Sequence, residues 1–129
     1  MSYLIYIYVD GSDNDTFKDQ FIAEITALVC KSNGLFFVDD LFPREAGMRE
    51  EDLPDWNLGV NFELSELKEG EIKEVIAFFV CLATKSRRDF VVGYLDRKLA
   101  FTEDIGFIEA FKPEDKIIDV LLSLKGSSH

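Results

Sequence analysis

The most constraining feature of this sequence is a strict alternation of apolar with polar or small residues between positions 56 and 64. Because the side chains of a β-strand point alternately to opposite faces, this pattern predicts a strand with one buried and one hydrated face. Such a strand requires neighbouring strands and a second layer that covers its apolar face. The apolar positions are Trp56, Leu58, Val60, Phe62 and Leu64.

Further strands are indicated on both sides of this segment. Residues 3–9 are apolar on both faces, which predicts an interior strand. A short apolar run at 35–38 predicts another. Nearer the C-terminus we expect a hairpin of strands 90–95 and 98–101, followed by a separate strand at 105–111.

Three segments have apolar residues at helical spacing. Residues 16–32 do so and are followed by an Asn-Gly pair, which predicts a helix that ends there. Segment 113–125 begins with proline and ends with lysine, as helices commonly do. Segment 71–85 fits either a helix or a buried strand, and its length favours the helix.

These elements predict an α+β (or α/β) fold, with a single mixed β-sheet of about five to six strands packed by two to three helices. A chain of 129 residues is long enough for one domain, which we assign to residues 1–125. Residues 126–129 resemble the start of an expression tag, so we expect a tag or a disordered tail there.

Charge narrows the class of partner. The chain has 25 acidic and 14 basic residues, a net charge of −11, and residues 39–74 alone contain 12 acidic and 4 basic residues. This excess disfavours direct binding to nucleic acid and to anionic membranes, because both require an excess of Lys and Arg. It favours rapid association with a basic protein.

The sequence also indicates where the protein acts. Its longest uninterrupted apolar run, residues 75–83, has nine residues, whereas a membrane-spanning helix needs about 20. The first ten residues lack the features of a secretory signal. We therefore expect a soluble, cytoplasmic protein. Cys30 and Cys81 lie in apolar stretches and are expected to be buried core thiols without a disulfide.

The sequence lacks the residues that several kinds of catalysis require. The single histidine, His129, lies in the expected tail, so histidine-based nucleophilic catalysis and histidine-ligated zinc are excluded. The two cysteines are too far apart in sequence for a CxxC motif, and no glycine-rich phosphate-binding pattern occurs. We expect no catalytic residues, no metal and no cofactor.

Two alternatives based on carboxylates stay open. The adjacent residues Asp39 and Asp40 could hold magnesium or act in hydrolysis, although neighbours on an extended chain point to opposite sides. The stretch Tyr8–Ser12 resembles the first strand-to-helix turn of universal stress proteins. That resemblance implies a nucleotide contact at Asp10 in a nucleotide-binding domain. A small carboxylate-based enzyme is the other form of this alternative.

The acidic segment 39–55 is the candidate binding site. It interleaves carboxylates with large apolar side chains, and this combination suits a basic protein partner: charges steer the encounter and buried aromatic anchors supply affinity. Alternatively, its aromatic residues turn inward and leave a solvated loop. With the strand that follows it, the segment predicts these partner-binding residues: Asp39, Asp40, Phe42, Glu45, Glu50, Glu51, Asp52, Asp55, Trp56 and Glu63.

A short, acidic chain with little catalytic equipment is similar in type to bacterial toxin-immunity proteins, including those of contact-dependent growth inhibition systems. We therefore expect a small protein-binding inhibitor that binds and neutralises a basic, nuclease-like toxin domain. A DNA mimic or a subunit of a larger assembly is a further alternative, because an acidic face also fits a nucleic-acid-binding protein.

Overall fold

The computed structural model describes residues 3–9, 18–32, 34–41, 56–96, 98–99, 101–109 and 115–127, which contain a β-sheet and three α-helices. The strands are β1 (Tyr3–Val9), β2 (Leu35–Leu41), β3 (Trp56–Glu63), β4 (Phe90–Asp96) and β5 (Phe101–Ile108). The helices are α1 (Lys18–Lys31), α2 (Glu69–Ser86) and α3 (Asp115–Ser127), and a short 3-10 helix occupies Leu64–Glu66.

The strands form one sheet in the order β2-β3-β1-β4-β5. Strand β1 lies at its centre and pairs with β3 on one side and β4 on the other, which confirms the prediction of an interior strand. The α+β architecture is also confirmed. We expected a mixed sheet, but each described strand pair is antiparallel. A short connection such as the turn between β4 and β5 can join only antiparallel neighbours.

All three helices cover one face of the sheet, which we call the helix face. The rings of Phe21 in α1 and Phe79 in α2 have their centroids 5.7 and 5.1 Å from that of Phe90 in β4. Ile117 of α3 lies beside Gly106 of β5. The core therefore fills the space between the helices and this face, and the strands contribute Ile5, Ile7, Leu58, Val60, Phe62, Phe90, Val92 and Ile108, each fully buried.

Segment 71–85 is helical, which resolves the choice that the sequence left open. At its start the carboxylate of Glu71 accepts a hydrogen bond from the backbone N–H of Lys68, at 3.0 Å. Arg87 ends the helix in the left-handed conformation, with φ of 56°. Helical spacing aligns the residues that α2 buries: Ile72, Val75, Ile76, Phe79, Leu82, Ala83 and Ser86.

The region after β4 differs from the prediction. We expected strands at 98–101 and 105–111, but a single strand, β5, runs through residues 101–108 along the edge of the sheet. The acidic residues Glu103 and Asp104 interrupt the apolar pattern, although both pair with β4. The turn before β5 is fixed by the Asp96 carboxylate, which accepts hydrogen bonds from two backbone N–H groups, of Lys98 and Leu99, at 3.0 and 3.2 Å.

Strand β2 is also longer than predicted. We expected an irregular segment from Asp39 onward, but Asp39 and Asp40 continue β2, and their register partners in β3 are Leu58 and Asn57. Pairing with the long, regular strand β3 stabilises an extended conformation that the local sequence does not favour, since aspartate is depleted in strands.

The prediction of buried cysteines is wrong, because Cys30 and Cys81 are exposed free thiols. Both belong to amphipathic helices, and neither occupies the buried stripe of its helix. Cysteine is often buried, but the exposure of these two residues is decided by their position around the helix, which the 3.6-residue period places away from the buried side.

Candidate functional site

The face of the sheet opposite the helices is the candidate site, and we call it the open face. Among the described residues no helix packs on it. Two of its aromatic members, Phe36 on β2 and Phe107 on β5, are 59% and 46% exposed, and exposed apolar side chains on one face of a sheet are typical of recognition sites. The register of the strands places these described side chains on the open face: Leu4, Tyr6, Tyr8, Phe36, Val38, Asn61, Glu63, Val91, Leu95, Thr102, Asp104 and Phe107.

The described strands contain acidic residues but no basic ones. None of the five described strands contains lysine or arginine, and the 14 basic residues of the chain all lie elsewhere. The same strands contain six carboxylates: Asp39, Asp40, Glu63, Asp96, Glu103 and Asp104. The register places two of them, Glu63 and Asp104, on the open face among the residues assigned to it above. Carboxylates on a face whose described strands contribute no cation give it an electrostatic potential that attracts positive charge.

At the centre of the open face, Tyr6 of β1 reaches across β4 to Asp104 of β5. Its hydroxyl donates a hydrogen bond of 2.5 Å to Oδ1 of Asp104. The phenol ring occupies the space where a side chain at position 93 would lie, because a Cβ on Gly93 would overlap the hydroxyl oxygen and the Cζ of Tyr6. Glycine at position 93 is thus what allows the ring to lie against the sheet.

This environment raises the pKa of Tyr6 well above its ordinary value of about 10. Partial burial is the largest cause, because it penalises the phenolate, and the hydrogen bond to Asp104 and the charge of that carboxylate act in the same direction. The hydroxyl of Tyr6 therefore remains protonated at neutral pH and holds the Asp104 carboxylate in place.

A second tyrosine holds the neighbouring carboxylate of β5. Tyr94 donates a hydrogen bond of 2.8 Å to Oε2 of Glu103, its direct register partner. That bond is the largest cause of the raised pKa of Tyr94. Since Glu103 and Asp104 are adjacent in an extended strand, they point to opposite sides of it, and only Asp104 belongs to the open face.

Tyr6 and its neighbours form a depression of about 530 Å³ on the β4–β5 side of the open face. The rings of Tyr6 and Tyr8 are stacked, with centroids 5.2 Å apart and an interplanar angle of 21°. We call this cavity the tyrosine depression. Its lining combines three aromatic rings, a carboxylate and aliphatic side chains: Leu4, Tyr6, Tyr8, Val91, Leu95, Thr102, Asp104 and Phe107.

A second depression, of about 340 Å³, lies at the β2 side of the sheet. The exposed ring of Phe36 borders it together with three carboxylates, and its lining is Gly34, Phe36, Glu63, Glu66 and Glu71. One of these carboxylates, Glu71, is already engaged in capping α2. The second depression has more negative charge than the tyrosine depression and a single aromatic ring.

The structure describes only part of the predicted partner-binding set. Glu63 lies on the open face at the end of β3 and borders the second depression. Asp39 and Asp40 belong to β2, and Trp56 is the first residue of β3. Asp10 and the remaining predicted residues lie outside the described residues: Phe42, Glu45, Glu50, Glu51, Asp52 and Asp55.

Sequence reasoning missed the residues of the tyrosine depression. The apolar character of both faces of β1 indicates an interior strand and does not single out Tyr6 and Tyr8, which are only half-buried. Two signals were available: phenol hydroxyls recur at alternate positions of one strand, and Gly93 interrupts an otherwise apolar strand. A glycine within a strand often marks the close approach of another group.

Comparisons of this chain with protein-family models, with curated proteins and with solved structures found no match. None of the described helices has the length and apolar character needed to cross a lipid bilayer. Within the described ranges, no group of three or more His, Cys, Asp or Glu side chains is arranged to hold a metal ion. The proposals below therefore rest on the geometry and charge of the open face.

Proposed function

We propose that this chain is a small inhibitor that binds a basic protein through the open face of its sheet and the acidic segment 39–55. One observation carries the proposal: aromatic side chains and carboxylates share the open face, and none of the five described strands contributes a cation. Carboxylates raise the rate of encounter with a cationic surface, and desolvated aromatic anchors supply most of the affinity of a protein interface.

The partner class that we propose is a nuclease-like toxin domain, with the chain acting as its immunity protein. Enzymes that act on nucleic acid present basic surfaces to phosphate, so an anionic face of matching size competes for the same surface. Two exposed cysteines without a disulfide support a reducing compartment, and we place the protein in the cytoplasm.

The first test identifies the partner. The immobilised chain is used to capture proteins from a lysate of its native cell, and the captured protein is then purified for binding measurements. We expect a basic protein whose association slows steeply as salt is raised, because screening weakens electrostatic steering. A captured protein that is acidic, or whose association does not depend on salt, contradicts the proposal.

The second test locates the interface with matched variants. We expect the double substitution Phe36→Ala and Phe107→Ala, on the open face, to weaken binding of the purified partner by about tenfold or more. Val120→Ala is the control, because Val120 is also an exposed apolar residue but lies on α3. Equal losses in the two variants, or no loss in the first, would place the interface elsewhere.

The third test addresses inhibition. Hydrolysis of nucleic acid by the purified partner should stop at about one equivalent of the chain, since a tight inhibitor titrates its target. A partner that binds nucleic acid but hydrolyses none would favour a DNA mimic or an assembly subunit. A thermal shift with nucleotide and magnesium would favour the nucleotide-binding alternative, because ligands stabilise the state that binds them.

A further inference from the structure

We infer that the tyrosine depression binds the guanidinium group of an arginine side chain, and that this arginine belongs to the basic partner. The inference rests on the proposed function and deepens it, because it assigns one anchoring contact to a defined cavity. Three points support the inference: the chemistry of the residues that line the depression, the fixed position of the Asp104 carboxylate, and the chemical difference between arginine and lysine.

The lining suits an organic cation. Tyr6, Tyr8 and Phe107 present aromatic rings, whose faces attract positive charge, and Asp104 presents a carboxylate beside them. None of the described residues that line the depression is basic, so these residues offer Asp104 no counter-charge. The aliphatic members Leu4, Val91 and Leu95 can contact the methylene stem of a long side chain.

The carboxylate is positioned before any ligand arrives. The Tyr6 hydroxyl donates to Oδ1 of Asp104 at 2.5 Å, and the Tyr6 ring is placed by Gly93 beneath it and by Tyr8 stacked beside it. A carboxylate has about four lone-pair sites, so one hydrogen bond leaves others for a ligand. Asp104 is exposed and can receive it. A prearranged acceptor loses less entropy on binding.

Arginine fits this arrangement better than lysine. The planar guanidinium stacks on aromatic rings, is weakly hydrated and donates two parallel hydrogen bonds to one carboxylate. Lysine carries a compact, strongly hydrated charge that gains less from stacked rings. The second depression, with Glu63, Glu66 and a single ring, lacks the stacked aromatic pair on which this argument depends.

The experiment uses the whole chain and a defined probe. N-acetyl-L-arginine amide is titrated at constant ionic strength and followed by the NMR signals of the protein, and N-acetyl-L-lysine amide is titrated in parallel. We expect saturable shifts at Tyr6, Tyr8, Thr102 and Asp104, and affinity for the lysine probe weaker by about fivefold or more. Shifts confined to other residues, or equal affinities for both probes, would overturn the inference.

A matched pair of charge-neutralising variants completes the test. Asp104→Asn keeps an oxygen that can accept the Tyr6 hydrogen bond, yet should weaken arginine binding by about fivefold or more, because charge-assisted bonds are the stronger ones. Asp119→Asn on α3 removes the same charge away from the open face and should leave binding unchanged. An Asp104→Asn variant that binds arginine as wild type does would refute the site.

The outcomes separate this inference from the proposed function. If the arginine probe fails to bind while the purified partner still loses affinity through Phe36→Ala and Phe107→Ala, the site is wrong and the function stands. If the probe binds at Asp104 but the open-face variants leave partner binding intact, the cavity recognises arginine and the proposed function fails.

Discussion

The two faces of the sheet are made by the same strands but differ in what covers them. On the helix face, the ring of Phe90 contacts two aromatic rings from α1 and α2 and is fully buried. On the open face, Phe36 and Phe107 remain largely exposed. Large apolar residues therefore stabilise the fold on one side and are available for recognition on the other, and residue type alone does not distinguish the two roles.

The largest expected difference is in the free energy of unfolding, when one phenylalanine on each face is replaced by alanine. Phe90→Ala should lower the free energy of unfolding by about 3–5 kcal/mol, because it removes a fully buried ring and leaves a cavity. Phe36→Ala should change it by less than about 1 kcal/mol, since its ring is mostly in water already. Urea unfolding measures both values. Similar losses would mean that the open face is covered in solution.

Gly93→Ala tests the position of Tyr6. The new Cβ would collide with the Tyr6 phenol and would lie 2.7 Å from the carbonyl oxygen of Glu103, so we expect a loss of about 1–3 kcal/mol in the free energy of unfolding. The control is Gly70→Ala in α2, where the Cβ meets nothing within 4 Å. Alanine there should be neutral or stabilising by up to about 1 kcal/mol.

A double-mutant cycle sharpens this result. In a Tyr6→Ala background the phenol is gone, and Gly93→Ala should then cost less free energy of unfolding, because the two shortest contacts of the new Cβ are removed while the contact with the Glu103 backbone remains. The same cost in both backgrounds would show that the Tyr6 ring does not occupy the space above Gly93.

Reversing charge in the acidic segment tests whether it shares the interface with the open face. Glu50→Lys, Glu51→Lys and Asp52→Lys together should weaken binding of the basic partner by about tenfold or more, mainly through slower association. The free energy of unfolding should stay within about 1 kcal/mol of wild type, since Asp and Glu side chains are in general rarely buried and exposed charges contribute little to stability. Unchanged affinity would confine the interface to other residues.

The smallest expected effect is a dependence of the free energy of unfolding on pH, caused by Tyr6 on the open face. The pKa of Tyr6 is higher in the folded chain than in the unfolded one, so the contribution of this group to stability is fully present and does not change with pH below about pH 10. As pH rises above that value the unfolded chain loses its proton first, and stability falls. Tyr6→Phe should show a smaller fall when urea unfolding is compared between neutral and strongly alkaline pH.

Asp104→Asn gives a second measure of the same coupling. Removing the charge beside Tyr6 lowers the pKa of its hydroxyl relative to wild type, because charge repulsion no longer opposes the phenolate. The phenolate absorbance should therefore appear at lower pH in this variant. An unchanged titration would contradict the contact between Tyr6 and Asp104.

Local pattern was sufficient to predict most of the elements. The alternating segment 56–64 contains strand β3, and segment 3–9, which is apolar on both faces, forms the central strand β1. Local pattern did not predict β5 correctly. An edge strand needs no continuous apolar pattern, and the acidic residues of β5 resemble a break between two strands. Of the predicted partner-binding residues, Glu63 has a described place on the open face.

By itself the sequence determined that this chain forms a sheet with helices, carries a large negative charge and contains a single histidine, since periodicity, charge and residue inventory are local properties. Only the tertiary structure decided that the three described α-helices pack on the same face, and that Tyr6 and Asp104, 98 positions apart in the chain, meet across Gly93. Such contacts depend on the order of the strands, which is fixed by packing and pairing between distant segments.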